Sequence, residues 1–492
     1  MTLATDLGGF VYGVDVAMLE ARVVADTKTL ITDALACIIA GAGFEGARIA
    51  RAMAPEHASD NKQATILLEG LRTGTASAAL INGAMLRSLD LMDVYVGRDV
   101  CHPSEIIPPA LACAEAGAAS GKMFLEAVVA GLALHMQLAD FIPLHRHGLH
   151  HVGQAAWTVP LIAARLLGHD KAIAARALTI GAHAMVVPES FSLGQLTNLK
   201  ALAYPLLARQ GIEAVRLAIA GLTGAPQACE EVVKLLSHRF AMDIPLQDLV
   251  PASAPDDVSV ISLKIYPAQY ALQPLIATAS TIRGDSKMLE QIERIIVRAS
   301  WRTVERCADP AKYVPRSAEA ADHSLPFCVA IAMLEGKLTI AALEKGRWKD
   351  EDVLALMSRI KAKPMNDDDG YHVGAQDITL QMKDGKFRTF PCRYPPEHVT
   401  WAMIAEQKLR QAAAKAGLDA EKILDVVSKL ETEPSLDRLV AAMTRVKAAE
   451  PASTPKPAPA PTASPPAPSA PPTEASSPGA PTAADIPQKK SA

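Results

Sequence analysis

Apolar residues recurring at every fourth position constrain this chain most. Between Leu30 and Ile39 two interleaved rows, Leu30/Ala34/Ile38 and Ile31/Leu35/Ile39, run side by side, and Gly41 stands where a helix can end. Phe124/Val128/Leu132/Met136 repeats the pattern, and Trp157–Leu167 followed by Gly168 is a further instance. Such rows lie on one face of an α-helix. The residues between them are often small, which suits helices packed closely on helices. Half of the 492 residues are hydrophobic but only 4% are aromatic. The core is therefore large and filled by aliphatic and alanine side chains, which favours helix packing over a large β-sandwich.

The period changes near Val258. Arg294–Ser300 is rich in β-branched residues and predicts a strand, with Ile295 and Val297 on one face and Ile296 and Arg298 on the other. Ile378, Leu380 and Met382 alternate, Asp384-Gly385 supplies a type I′ turn, and the chain returns from Phe387, so Asp377–Tyr394 predicts a hairpin. Asp350–Lys361 between them predicts a helix. Helical patterns resume at Trp401–Ala416, which Gly417 can end, and at Lys422–Val446. The expected fold is mainly α: a large helical domain in two parts (residues 1–260 and 397–448) with an inserted α+β lid domain (261–396). From about Glu450 the composition collapses to Pro, Ala, Ser and Thr. Such a segment, 449–492, cannot bury enough apolar surface to offset its ordering entropy, and is expected to be a disordered tail or a ligand for a Pro-recognising partner.

Bulk charge removes several function classes. Net charge is −4 without a long basic run, so nucleic acid is not an expected partner. Phe124–Leu138 is interrupted by Glu126, His135 and Gln137 and is too short and polar to span a bilayer, so no membrane partner is expected. Seven scattered cysteines form no CxxC pair, which points to reduced thiols in a cytoplasmic protein. No secretory signal pattern opens the chain.

Five places carry candidate chemistry. Leu89-Asp90-Leu-Met-Asp93 puts two carboxylates three apart, on one face if helical, and His102-Pro103-Ser104 follows before Pro108-Pro109 opens a helix. A carboxylate near an imidazole is an acid/base unit or a capped loop. His145, Arg146, His147, His150 and His151 are the densest imidazole cluster. They read as a metal site through His145 and His147 or through His150-His151, as an anion-binding loop, or as plain surface; no local cysteine or spaced carboxylate completes a metal set. Lys200, in the apolar run Leu196–Tyr204, either snorkels to solvent or points into a pocket. Lys264 stands at the junction of the helical and α+β parts, where ligand clefts form. Asp322-His323 is either an orienter with a general acid/base, or Asp322 caps a helix beginning near Ser324 and His323 is a satisfied structural histidine.

In order and spacing, these segments resemble the MmgE/PrpD family, the 2-methylcitrate dehydratases and cis-aconitate decarboxylases, over roughly residues 25–410. Asn82-Gly83 through Leu89-Asp90 is similar to the family's NG…LD segment, and His102-Pro103-Ser104 with Pro108 to its HPS…P segment. Gly148-Leu149-His150-His151 with Leu166-Leu167-Gly168 also fits. Lys200-Ala-Leu-Ala-Tyr204…Arg209…Thr223-Gly-Ala-Pro226 is similar to the dehydratase WKG-C-A-Y…R…TGP run. Lys264…Tyr266-Pro267-Ala268…Gln273 resembles K-x-F-P-A-E-x-x-x-Q, and Ala321-Asp-His-Ser-Leu-Pro326 matches most closely. The resemblance implies a helical domain, an inserted lid, a cleft between them and a homodimer. It also implies a metal-independent hydro-lyase, with no cofactor and no iron–sulfur cluster, acting on a small polycarboxylate such as 2-methylcitrate. A cis-aconitate-type decarboxylase, another lyase or isomerase, or a degenerate member acting through its tail are the alternatives. By this analogy Asp93, His102, His150 and Lys200 are catalytic, and Asp90, His151, Lys264, Gln269, Asp322 and His323 bind substrate. Met92, Gln269, Ala271, Ala318 and Pro205-Leu206 depart from the family pattern, which points to an altered substrate.

Overall fold

The computed structural model describes residues 2–53, 63–282, 286–365, 375–395 and 398–445; the Pro/Ala-rich segment and the readings placed on it lie outside these residues. The described chain is mainly α with a small β-containing part. Its centre is the helix Thr75–Arg87, whose thirteen residues are all buried. Apart from Arg87 it carries no charged side chain, so it can be surrounded on every side, and small residues let its neighbours approach. A Cβ on Gly41 would lie 2.1 Å from the Met85 carbonyl oxygen, and one on Gly83 would lie 2.9 Å from Pro205 Cγ. Helices Ala21–Gly41 and Leu199–Ile219 pack on it through these contacts, and Trp401–Ala416 returns from late in the chain to pack on Ala21–Gly41.

The predicted helices over Leu30–Ile39, Phe124–Met136 and Trp157–Leu167 form as Ala21–Gly41, Gly121–Phe141 and Ala155–Leu166. The second is longer than read. With the 3-10 turn after it, Gly121–His147 is long and apolar enough to cross a membrane, yet 83% of its most apolar window is buried inside the protein. Its polar residues have partners there: Glu126 pairs with Arg165 at 2.5 Å, and His135 meets the Pro103 carbonyl (3.2 Å) and Thr158 Oγ1 (3.1 Å).

A four-stranded mixed sheet forms after residue 290, in the order Ile360–Met365, Ile292–Ser300, Asp377–Met382, Phe387–Pro391. The first pair is parallel and the others antiparallel. Ile295 and Val297 are buried while Arg298 is exposed, as the alternation predicts. Three local readings are corrected. Only Gly385 in the hairpin turn has positive φ (+81°). The Met382 carbonyl accepts from Gly385 N, and Met382 N donates to the Lys386 carbonyl. This is a three-residue loop with a left-handed glycine, not a type I′ turn, which needs positive φ at both central residues. The Asp350–Lys361 helix ends at Met357, and Ile360 begins the strand parallel to Ile292–Ser300. The Lys422–Val446 run is broken into Ala420–Ser428, a 3-10 turn and Asp437–Ala442, with Pro434 in the interruption, where the residue before a proline is pushed out of helical conformation.

Candidate functional site

The Thr75–Arg87 helix stops just before Asp90, so Asp90 and Asp93 lie in a turn and not on one helical face. Three long-range contacts fix that turn. Lys408 donates to the Leu91 carbonyl (2.8 Å) while pairing with Asp33 (2.5 Å). Val94 and Ser262 exchange both main-chain hydrogen bonds at 2.8 Å. Ser104 donates to the Asp93 carboxyl through its N–H (3.0 Å) and its hydroxyl (2.5 Å). The Val94–Ser262 bridge brings Lys264 beside Asp90.

The segment carrying Lys264 is held as firmly. Tyr394 OH donates to the Leu263 carbonyl (2.6 Å) and accepts from Ile265 N (3.1 Å), straddling the lysine. Gln273, fully buried, accepts from Ile265 N and Tyr266 N and donates to the Tyr266 and Ala268 carbonyls, which uses its whole hydrogen-bonding capacity. Gln269 N donates to the Asp322 carbonyl at 3.0 Å, which ties this segment to the Asp322–His323 turn. Ser324, not Asp322, caps the following helix Leu325–Glu335. Asp322 is thereby left for His323, whose Nδ1 lies 2.5 Å from its Oδ1.

These turns meet around a cavity of about 140 Å³ lined by Asp90, His102, His145, His150, His151, Lys200, Lys264, Gln269, Ala271 and His323 among others. That is room for about five waters at ~30 Å³ each, the scale of one small organic molecule. Asp90 is its electrostatic centre. Lys200 Nζ lies 3.2 Å from Oδ1, Lys264 Nζ 3.2 Å from Oδ2, and His323 Nε2 3.9 Å from Oδ2. Lys200 also approaches His323 Nδ1 (3.4 Å) and Asp322 (3.9 Å), so it points inward and does not snorkel. Burial raises the Asp90 carboxyl, but Lys200 and Lys264 outweigh it and hold the group well below its ordinary range. Burial pushes Asp322 up to about 7, against the pull of Lys200. Burial likewise lowers Lys264 and, strongly, His102, His150, His151 and His323, so these imidazoles are neutral.

Ring tautomers follow from the partners. His102 Nδ1 lies 2.6 Å from the Asp93 main-chain carbonyl. Only a donor fits there, so Nε2 keeps the lone pair. The Asp93 carboxyl itself does not line the cavity: it is fully buried on Ser104 and pushed up to about 7 by burial. Its contribution to His102 comes through the backbone. The histidine cluster also differs from the linear reading. His147 stacks on Phe240 at 3.8 Å, whereas His145 joins His150 and His151, their ligand-capable atoms all within 4.8 Å of one another.

Several site residues escaped the sequence reading. Arg87 pairs with Glu105 and donates to the Lys200 carbonyl (3.1 Å); Arg306, which lines the cavity, pairs with Glu189; Asp99 binds His145 (3.0 Å). Arg87 carried one usable signal: a charge at the end of a helix otherwise free of charged residues must find a partner if that helix is buried. Of the departures from the family pattern, Met92 is in the core, Pro205 packs on Gly83 and Leu206 is exposed. Gln269 and Ala271 face the cavity, with Gln269 Oε1 accepting from Ala271 N at 2.7 Å.

A family model described as the MmgE/PrpD N-terminal domain matches residues 5–240, and one described as the MmgE/PrpD C-terminal domain matches residues 266–432. Cis-aconitate decarboxylase of Homo sapiens is 24% identical over 448 residues, covering 86% of this chain and 90% of the relative. 2-Methylcitrate dehydratase of Escherichia coli O157:H7 is 26% identical over 354 residues (65% and 71%). The Salmonella typhimurium protein of the same name is 24% identical over 388 residues (71% and 78%).

Proposed function

The chain belongs to the MmgE/PrpD family, and we propose that it is a lyase, a hydro-lyase acting on a small polycarboxylate of the 2-methylcitrate type. The observation that carries this reading is the Asp90 carboxylate held between two buried lysines at 3.2 Å each, on the wall of a cavity sized for a small acid. Two cations share one carboxylate there, so positive charge remains for the substrate. Removing a proton from the carbon α to a carboxylate adds negative charge to an existing anion, and fixed ammonium groups stabilise that charge as it develops.

Two proton carriers face the cavity. His102 is the base: the Asp93 carbonyl holds its Nδ1–H, and its Nε2 lone pair takes the carbon-bound proton. The Asp322–His323 pair is the acid. It holds a proton below about pH 7 and delivers it through His323 to the departing hydroxide, which leaves as water when the C–O bond breaks. His150, His151 and Gln269 complete the wall and orient the substrate.

A second reading, decarboxylation of a cis-aconitate-type acid, is supported by the decarboxylase relative, which aligns over 86% of this chain against 65–71% for the dehydratases described above. One assay separates the two. Purified protein is incubated with 2-methylcitrate, citrate and cis-aconitate while unsaturated acid and carbon dioxide are followed. Unsaturated product without carbon dioxide is expected; carbon dioxide release selects the second reading. No turnover and no thermal shift across a broad acid panel would sink both.

A further inference from the structure

We propose that His135, buried behind the cavity and lining none of it, is a positioning residue that holds the turn bearing His102 in register with the helix bearing Lys200. This rests on the lyase reading above and deepens it: a residue outside the cavity sets the spacing between the base and a cation that receives the substrate's carboxylate.

His135 lies within the helix Gly121–Phe141 and is 1% exposed. Its Nδ1 is 3.2 Å from the Pro103 main-chain carbonyl. A carbonyl only accepts, so Nδ1 carries the proton and Nε2 the lone pair. On the Nε2 side stand two hydroxyls, each with a proton to give: Thr158 Oγ1 at 3.1 Å and Tyr204 OH at 3.3 Å. Thr158 also donates to the Gln154 carbonyl (3.1 Å), one turn back, which leaves the Tyr204 hydroxyl for the ring. Both nitrogens of the ring are thus used. Burial pushes the group down to about 4, so the neutral form and this pairing hold across the neutral pH range.

Each end of this link reaches a residue of the cavity wall. The Pro103–Ser104 peptide accepts from His135 through its carbonyl and donates to the Asp93 carboxyl through the Ser104 N–H (3.0 Å). The Asp93 main-chain carbonyl in turn holds His102 Nδ1 at 2.6 Å. At the other end Tyr204, 2% exposed, stands one helical turn after Lys200, so the same ring fixes the start of Leu199–Ile219. A core histidine kept for stability alone could satisfy its nitrogens on any neighbour. Here the two partners belong to the two segments that must keep register while a proton is taken from beside a bound carboxylate. Misplacing a reacting group by about 1 Å costs up to roughly 10²-fold in rate, so the link acts on kcat before it acts on KM.

Variants of the full chain separate the two sides of the ring. The Asn amide nitrogen reaches the place of Nδ1, and the Gln amide the place of Nε2. His135→Asn therefore keeps a donor for Pro103, whereas His135→Gln keeps a partner for Tyr204 and drops Pro103. Turnover of 2-methylcitrate and cis-aconitate is measured beside hydrogen–deuterium exchange of the peptides containing Ser104 and Tyr204. His135→Gln should lose about 10–100-fold in kcat with KM near the parent's, and should exchange faster at Ser104. His135→Asn should recover most of kcat and the protection at Ser104, and should exchange faster at Tyr204. Tyr204→Phe, which leaves the ring in place, should show the same faster exchange at its own helix start. Melting curves establish that each variant is folded; a general loss of stability would move the Asn and Gln variants alike. Equal kcat and equal exchange in those two overturn the proposal, as does parent-like exchange in both His135→Gln and Tyr204→Phe. If the parent turns over neither acid, the lyase reading fails, and the exchange pattern still decides whether His135 holds the two segments.

Discussion

Two buried lysine–carboxylate groups in this protein use the same chemistry to opposite ends. Asp33 and Lys408 pair one to one at 2.5 Å, and Lys408 spends a further hydrogen bond on the Leu91 carbonyl. Burial dominates there, and the Asp33 carboxyl is raised despite its lysine. Asp90 has two lysines and a nearby histidine, and is held well below its usual range. The first group closes its charge and ties the helix Trp401–Ala416 to the turn bearing Asp90. The second leaves positive charge facing the cavity. The ratio of cations to carboxylates, rather than burial or distance, separates a closed pair from one that leaves positive charge at the cavity.

The largest effect should come from the clamp. Lys408→Ala leaves Asp33 buried without its cation and is expected to cost about 3–5 kcal/mol in denaturant unfolding; a loss below 1 kcal/mol would mean that the pair is not the clamp described. At the second group the effect moves from stability to turnover. Lys200→Ala should lower kcat/KM about 10²–10³-fold with little change in melting temperature, because Lys264 still pairs with Asp90. Equal losses in stability from both variants would erase the contrast.

Asp322→Asn tests the proton carrier. The dyad keeps its proton below about pH 7 and loses it above, so parent turnover should fall as pH rises through about 7. The variant should lose that limb along with roughly 10²-fold in rate. Asp93 supplies a stability counterpart. Its carboxyl sits near 7 in the fold against an ordinary 3.8. The native state therefore keeps a proton that the unfolded chain releases, and this contribution is present at low pH and lost as pH rises through about 7. Asp93→Asn mimics the neutral acid toward Ser104 and should flatten the fall in melting temperature between about pH 4 and 7. The smallest effect is expected at the altered wall: Ala271→His should improve a tricarboxylate relative to a dicarboxylate by up to about tenfold, or about 1.4 kcal/mol, read as a ratio of kcat/KM values.

Much of the scaffold was legible from residue order. The fourfold rows at Leu30–Ile39 and Phe124–Met136, the alternation in Arg294–Ser300 and the stop at Gly417 all formed as read. Misreadings fell where local patterns end: Gly385 rather than the Asp384–Gly385 pair carries the left-handed turn, and Pro434 lies in the break of the last helical run. Asp90, Lys264 and Asp322-His323 could be named through family motifs, but their partners could not. Arg87 with Glu105, Arg306 with Glu189, and Asp99 with His145 join residues far apart in sequence, and no period predicts which buried charge meets which.

By itself, the sequence determined where helices and strands run and which family the chain falls in, because those depend on repeats of two and about four residues and on ordered motifs. Tertiary structure decided the chemistry. It chose the backbone carbonyl of Asp93 over its carboxylate as the partner of His102, and placed His145 rather than His147 with His150 and His151. The physical reason is that pKa values and ring tautomers are set by desolvation and by the atom across the gap, and both exist only once distant segments have closed around the cavity.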